Sequence, residues 1–430
     1  MENKKVLIVT YYWPPGGGSG VQRWLKFVKY LTRLGWEPIV FTPENPLSTV
    51  NDSSLLNDVP DSMEVIKLPI WEPYDLFFRL QKIFGKKNAA AADFISTGKK
   101  SLFQRISSWL RGNLFIPDAR IFWVKPSVKF LDDFIKSNEI TRVVTTGPPH
   151  SMHLIGMRLK QLHPVIHWVA DFRDPWSEWD LLDTLSLTSW ARAHHRKLEK
   201  EVLVDADRVV TIAPYHVDRL KNLGGRAVDL ITNGFDHEDF VSVVHKQNEQ
   251  FTIRHIGVVD ELRDPRPVME VIKKICIDQP DLIDKIRIEF IGSVNSNFKD
   301  YVAQHSALVV ITSFRDHMPH DRLLEVYGTT DLQLLVLAHT AIAPGNLPGK
   351  FFEYMASGNP ILAIGPTDGD AAKVLKETNS GRIFEHADSV GIEEAILDFY
   401  RRWESGHGHE VGDVSKYSRE AIAKQLIELL

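Results

Sequence analysis

Short continuous apolar runs alternate along this chain with longer stretches in which apolar residues recur every three or four positions. These are the periodicities of a buried strand and of a helix packed by one face. The pattern is complete in the opening forty or so residues. Lys4–Thr10 (KKVLIVT) is an apolar strand, and Tyr11–Gly20 (YYWPPGGGSG) a glycine loop. Val21, Trp24, Leu25, Val28, Leu31 and Leu34 then mark one helical face that Gly35 closes, before a second strand at Pro38–Thr42. The rhythm breaks between Leu68 and Lys129 and resumes with strands at Arg142–Thr146, Val165–Ala170 and Arg208–Ile212, separated by helices at Met152–Leu162 and Ser189–Leu203 and followed by one at Tyr215–Asn222. In the second half, strands at Thr252–Gly257, Ile286–Ile291, Ala307–Thr312, Asp331–Leu337 and Pro360–Ile364 alternate with helices that include Val268–Ile277, Arg322–Tyr327 and Gly349–Ser357. A last helix, Ser418–Leu430, carries Ile422, Leu426, Leu429 and Leu430 on one side. Fully apolar strands separated by one-faced helices predict an α/β fold with parallel sheets, and 430 residues suffice for two such domains.

Polar residues at the carboxyl edge of a parallel sheet are the candidates for chemistry, because ligands of open α/β folds bind there. Pro348 suits a first helical turn, and Gly358 with Pro360 suits its end, so Lys350 and Glu353 sit at the opening of a short helix between two strands. A carboxylate there can take a pair of hydroxyls and an ammonium can meet a phosphate, although both residues equally fit a solvated first turn. Arg263 and Arg266 precede Pro267 at another helix start, where amides, dipole and guanidinium favour an anion; the bland alternative is two solvated arginines. The loop with Gly16, Gly17, Gly18 and Gly20 could bring amides to a diphosphate or serve only as a turn, and it lacks the dinucleotide spacing. His150, Asp171, Arg173 and Asp174 follow strands in the first half and are expected to face a ligand, with a structural Arg173–Asp174 ion pair as the other reading.

Composition narrows the classes. With 43% hydrophobic and 25% charged residues the chain reads as globular, and a net charge of −5 gives no nucleic-acid footprint. The single Cys276 leaves no internal disulfide and fits a reducing, cytoplasmic setting. Val6–Trp13 is too short for a signal-peptide core. His194–His195, His317–His320 and His407–His409 lack metal-ligand spacing, and neither a P-loop nor a G-x-S-x-G is present, so no metal or cofactor is expected. The charge is uneven. Arg79–Lys129 holds eleven Lys or Arg against two Asp, a balance of +9 that leaves −14 elsewhere, and nine Phe or Trp lie between Phe77 and Trp123. With the amphipathic Ser101–Gly112, this segment fits either an anionic membrane surface, making the protein peripheral at the inner face, or a helix packed on its own domain.

The run KFFEYMASGNP, Lys350–Pro360, resembles the nucleotide-sugar signature of retaining glycosyltransferases with the two-domain GT-B fold, family 4 in particular. The PxxGG of the first loop, TTGPPHS, DFRDPW and ITNGFD are similar to segments of the same family. The resemblance implies two Rossmann-like parallel-sheet domains facing a cleft: residues 1–240 on the acceptor side, with an insertion at 70–130, residues 250–412 on the donor side, and a C-terminal helix, 413–430, crossing back to the first domain. It implies that Glu353 holds the donor ribose, that Gly17 and Gly18 lie beneath the diphosphate, and that Arg263 or Arg266 holds it with Lys350. Arg263 is favoured, since the family's usual GR and KG are here Gly257-Val258 and Asp264-Pro265. Asp171 and Arg173 join Arg263 and Lys350 in the expected catalytic set, and His150 and Asp174 are expected on the acceptor side. The family's second glutamate, eight residues before Glu353, is Gly345, which leaves the sugar to Asn346, Leu347 and neighbouring amides. The implied activity moves a sugar from a nucleoside diphosphate to a saccharide or lipid-linked acceptor in cell-envelope or exopolysaccharide synthesis, with retention and without a metal. A weakened sugar-nucleotide-binding scaffold and a GT-B-fold epimerase are the alternatives.

Overall fold

The computed structural model describes residues 3–47, 51–73, 102–241 and 243–430, in two compact units. The first comprises Met1–Thr232 with Ala423–Leu430, the second Asn233–Ile422.

In the first unit β1 (Lys5–Val9), β2 (Glu37–Pro43), β3 (Glu64–Leu68), β4 (Arg142–Gly147), β5 (His167–Phe172), β6 (Arg208–Thr211) and β7 (Asp229–Leu230) form one parallel sheet in the order β3-β2-β1-β4-β5-β6-β7. The chain starts in the middle, winds to one edge and returns to the other. The loops after β1 and β4 therefore diverge, and these carry the glycines and His150. The predicted face of the first helix, Ser19–Arg33, is buried through Val21, Trp24, Leu25, Val28 and Leu31. The end of the chain ties into the same unit: Arg142 Nε donates to the Leu430 carbonyl at 2.6 Å, and His167 Nε2 lies 2.8 Å from that of Leu429.

The second unit repeats the plan with β8 (Phe251–Ile256), β9 (Ile286–Ile291), β10 (Thr312–Arg315), β11 (Leu332–Val336), β12 (Ile361–Ile364) and β13 (Gly381–Phe384), ordered β10-β9-β8-β11-β12-β13 and parallel throughout. Its switch point lies between β8 and β11.

Two expectations are corrected, the strand at Ala307–Thr312 and the end of the strand after Val165. Ala307–Thr312 is a helix, Ser306–Ile311, and the strand begins where it ends; Leu308 and Ile311 are buried while Val309 and Val310 are half exposed, a helical alternation inside a short apolar run that periodicity alone reads either way. Strand β5 runs two residues further than expected and takes Asp171 inside the sheet. The division between units falls at Thr232/Asn233, ahead of the linker read at His245–Gln250. The residues after it belong with the second unit: Phe240 packs on Tyr327 at 5.6 Å, Lys246 N donates to the Gly328 carbonyl, and Asn248 Nδ2 donates to Asp331. The basic aromatic segment is partly core. Trp123 is buried and stacked on Phe41 at 4.9 Å, and Arg120 pairs with buried Glu72 at 2.8 Å. Its residues 79–101 lie outside the described residues, as do Phe77 and Phe78.

Candidate functional site

Two loops meet at the switch point of the second unit, one after β8 and one after β11, and His339 N donates across them to the Leu262 carbonyl at 2.8 Å. Strand β8 ends at Gly257, whose φ of 137° is glycine territory. The loop then folds around Asp260. One carboxylate oxygen accepts from the amides of Leu262 (3.0 Å) and Arg263 (2.8 Å), and the other accepts from the Arg263 guanidinium at 2.8 Å. Arg263 is thereby aimed, not loose, at 37% exposure.

The second loop leads into the helix Gly349–Ala356. Phe351, Phe352, Tyr354 and Met355 face the core, which leaves Lys350 and Glu353, three residues apart, on the other side. Tyr354 docks the helix onto β8: its hydroxyl accepts from Ile256 N at 2.8 Å. That contact sets Lys350 against the Gly257 backbone, so closely that an ideal Cβ on Gly257 would lie 2.7 Å from Nζ. The helix begins at Pro348 with no side-chain cap and no acidic residue in its first turn, so its opening amides stay available.

Lys350 makes no hydrogen bond or ion pair among the described residues. Burial, and then the charge of Arg263, pull its ammonium down to about 7, while Asp260 and Glu353 pull the other way. Beneath it, His255 is held well below the usual histidine range by burial and then by Lys350, so it adds no competing charge. Glu353 has 12% side-chain exposure; its Oε2 accepts from the Tyr327 hydroxyl at 2.9 Å and its Oε1 lies 4.0 Å from His320 Nδ1. The structure thus gathers Arg263, Lys350 and Glu353 into one electrostatic neighbourhood. Arg266 is left out: it pairs with Asp264, is 53% exposed, and its charge acts on Tyr301. Asn346 is half-buried in the loop, and buried Leu347 accepts from Asn233 Nδ2 through its carbonyl at 3.3 Å. The helix Asp370–Thr378 opens on buried Asp370, whose Oδ1 accepts from Lys373 Nζ at 3.0 Å.

In the first unit the expected polar set separates. Asp171 is fully buried and accepts from Arg23 Nε (3.1 Å) and NH2 (2.9 Å), Trp24 Nε1 (2.7 Å) and Thr146 Oγ1 (2.9 Å). As an in-strand residue it points inward at the first helix, and it is a structural anchor instead of a group open to a ligand. His150 is likewise buried, stacked parallel on Trp176 at 5.1 Å, and burial holds it well below the usual range. Asp174 is half-buried and forms no ion pair with Arg173. Arg173 instead donates to the carbonyls of Gly147 and Pro148 and lies over the Tyr12 ring at 5.5 Å. An ideal Cβ on Gly20 would come within 2.8 Å of its NH1, so the guanidinium and the glycine loop adjoin. Gly18, at φ 96°, opens the helix Ser19–Arg33 and is exposed beside half-buried Gly17.

Sequence reading missed Asp260, Tyr327 and Asp239, and set His320 aside with the non-metal histidines. Only Asp260, three residues before Arg263, had a local signal. Among the described residues no group of three or more His, Cys, Asp or Glu is arranged to hold a metal ion, and no helix is long and apolar enough to cross a membrane.

No family model and no curated protein matches the sequence. Solved structures do. A glycosyltransferase from Rickettsia africae is 12% identical over 100% of this chain and 98% of that one, with a TM-score of 0.62. Sucrose-phosphate synthase from Thermosynechococcus elongatus is 13% identical over 99% and 98%, at 0.58. The catalytic domain of starch synthase IV from Arabidopsis thaliana, bound to ADP and acarbose, is 11% identical over 100% and 99%, also at 0.58. The architecture is GT-B, with a Rossmann-like parallel sheet in each unit.

Proposed function

We propose that this chain is a glycosyltransferase that moves a sugar from a nucleoside diphosphate to an acceptor hydroxyl. The observation that carries the reading is Lys350: a half-buried amine that makes no hydrogen bond or ion pair among the described residues, beside a second cation aimed by Asp260, at an uncapped helix start. Such a site lacks only an anion, and a diphosphate leaving group supplies one as its bond to the sugar breaks. Lys350, Arg263 and the helix amides would stabilise that charge without a metal. Glu353 would take the ribose hydroxyls and orient the nucleotide without acting as a nucleophile. The departing phosphate would accept the acceptor's proton on the same face, giving retention as in family 4. Within the first unit, Arg173, which donates to backbone carbonyls, is proposed as a ligand contact together with Gly17 and Gly18, and Asp174 is proposed to act on the acceptor. Asn346 and the Leu347 amide would meet the sugar in place of the glutamate absent at Gly345.

The acceptor is proposed to be a saccharide, free or lipid-linked, of a cell-envelope or extracellular polymer. Exposed Trp71, Trp109, Leu114 and Phe122, the middle two within three residues of Arg111, suit a cytoplasmic protein resting on an anionic membrane. Incubation with UDP-, GDP- and ADP-sugars tests the reading: slow release of nucleotide from one of them, absent in Glu353→Gln, is expected. Release from none, or isomerised donor recovered without an acceptor, would turn the assignment to the scaffold or the epimerase.

A further inference from the structure

Glu353 has a neighbour at each oxygen, a hydrogen bond at one and an imidazole 4.0 Å from the other, and both neighbours come from outside the motif. Tyr327, at the end of the helix His320–Tyr327, donates to Oε2 from a fully buried hydroxyl, and its own carbonyl accepts from Asn359 Nδ2 at 2.7 Å. At the other end of that helix His320 turns Nδ1 toward Oε1 at 4.0 Å, and its Nε2 lies 3.1 Å from Asp239 Oδ2. Asp239 belongs to the short helix His237–Phe240, just past the start of the second unit. The imidazole thus lies between two carboxylates and is itself buried. Only the doubly protonated ring presents a donor to each, since a neutral ring that donates to Asp239 turns a lone pair on Glu353. A free glutamate side chain rotates among several orientations. One hydrogen-bonded at Oε2 and faced by an imidazole at Oε1 is restricted toward the single plane needed to accept two neighbouring hydroxyls at once.

We propose that His320, backed by Asp239, is a positioning residue that sets Glu353 to read the paired ribose hydroxyls of the donor nucleotide. The inference rests on the donor-site reading of Glu353 given above. A structural role alone would lower affinity for every nucleotide alike, whereas a positioning role that acts through Glu353 would be felt only where the hydroxyls are present.

The test is a ratio of dissociation constants, measured by titration calorimetry on the full chain. UDP, GDP and ADP are compared, and the tightest binder is set against its 2′,3′-dideoxy counterpart. Wild-type protein is expected to prefer the ribose form about tenfold or more. In His320→Asn and in the milder Asp239→Asn that preference should fall at least threefold while affinity for the dideoxy form stays within twofold. A variant that loses affinity for both forms equally, or keeps the wild-type preference, overturns the positioning role and leaves the ribose reading standing. A wild-type ratio near one removes the ribose reading and this inference with it. The dideoxy affinity doubles as the check that each variant is folded.

Discussion

The Lys350 ammonium lies against the backbone of Gly257, where an ideal Cβ would come within 2.7 Å of its nitrogen. Both the strand end and the helix start are shaped by that approach, since Gly257 sits at φ 137° and Tyr354 clamps the helix to β8 one residue earlier. Gly257→Ala meets strain at the backbone, at a cost of about 1–3 kcal/mol, and displaces a flexible amine besides. Its expected signature is a lower midpoint in urea together with a nucleotide affinity weakened at least tenfold. Wild-type affinity in the folded variant would show that the amine's position is immaterial.

A half-buried cation without a partner among the described residues costs stability, and the sign of the pH dependence follows. Lys350 stands at about 7 in the folded protein against an ordinary 10.5, so below about pH 7 the folded state carries the full penalty of the buried charge. The penalty fades as pH rises from about 7 toward the unfolded value. Lys350→Met removes it, so the empty variant should be the more stable by about 1–3 kcal/mol near pH 6, discounted for partial solvent access, and the gap should close toward pH 10. Denaturant titrations of both proteins at several pH values measure this. A variant less stable than wild type at pH 6 would mean that the amine has a partner in the fold.

Asp171 carries the opposite prediction. Its carboxylate is held below the ordinary aspartate range, burial being outweighed by Arg23 and the hydrogen bonds around it. Its contribution is therefore present above about pH 4 and lost as pH falls through the depressed folded value. Asp171→Ala leaves the Arg23 guanidinium buried without its carboxylate and should cost about 3–5 kcal/mol. Near-native stability with abolished sugar transfer would instead restore Asp171 to the chemistry.

How far the sequence carried these assignments depends on where the information lies. Strand and helix alternation made both sheets legible, because buried parallel strands are apolar throughout and one-faced helices keep their period; the Gly349–Ala356 helix ends within a residue of its expected limit. The burial of Asp171 was not legible because one residue of strand register decides whether a side chain faces a ligand or the core, and apolar runs do not fix their own ends. His320 and Asp239 were unreadable for another reason. They lie 33 and 114 positions before Glu353, and only the folded second unit brings them beside it.

The surface around Trp71, Trp109, Leu114 and Phe122 yields a further prediction. Trp71 meets Phe122 edge-on at 5.1 Å and half-buried Phe115 meets Phe122 at 5.7 Å, while Trp109 is exposed on the helix Leu102–Asn113. Trp109→Ser with Phe122→Ser should weaken binding to phosphatidylserine-containing vesicles at least tenfold, and Arg111→Gln alone should cost about 1 kcal/mol. Binding that none of these changes alters would assign the rings to packing within the protein.

The central claim is that Lys350 and Arg263 form a cation pair waiting for a diphosphate. Calorimetric titration of the wild type, Lys350→Met and Arg263→Gln with UDP, GDP and ADP, each compared with its nucleoside monophosphate, tests it most directly. The account predicts that the wild type prefers one diphosphate to its monophosphate by about tenfold or more, and that Lys350→Met abolishes the preference. Equal affinity of Lys350→Met and wild type for that diphosphate would contradict it.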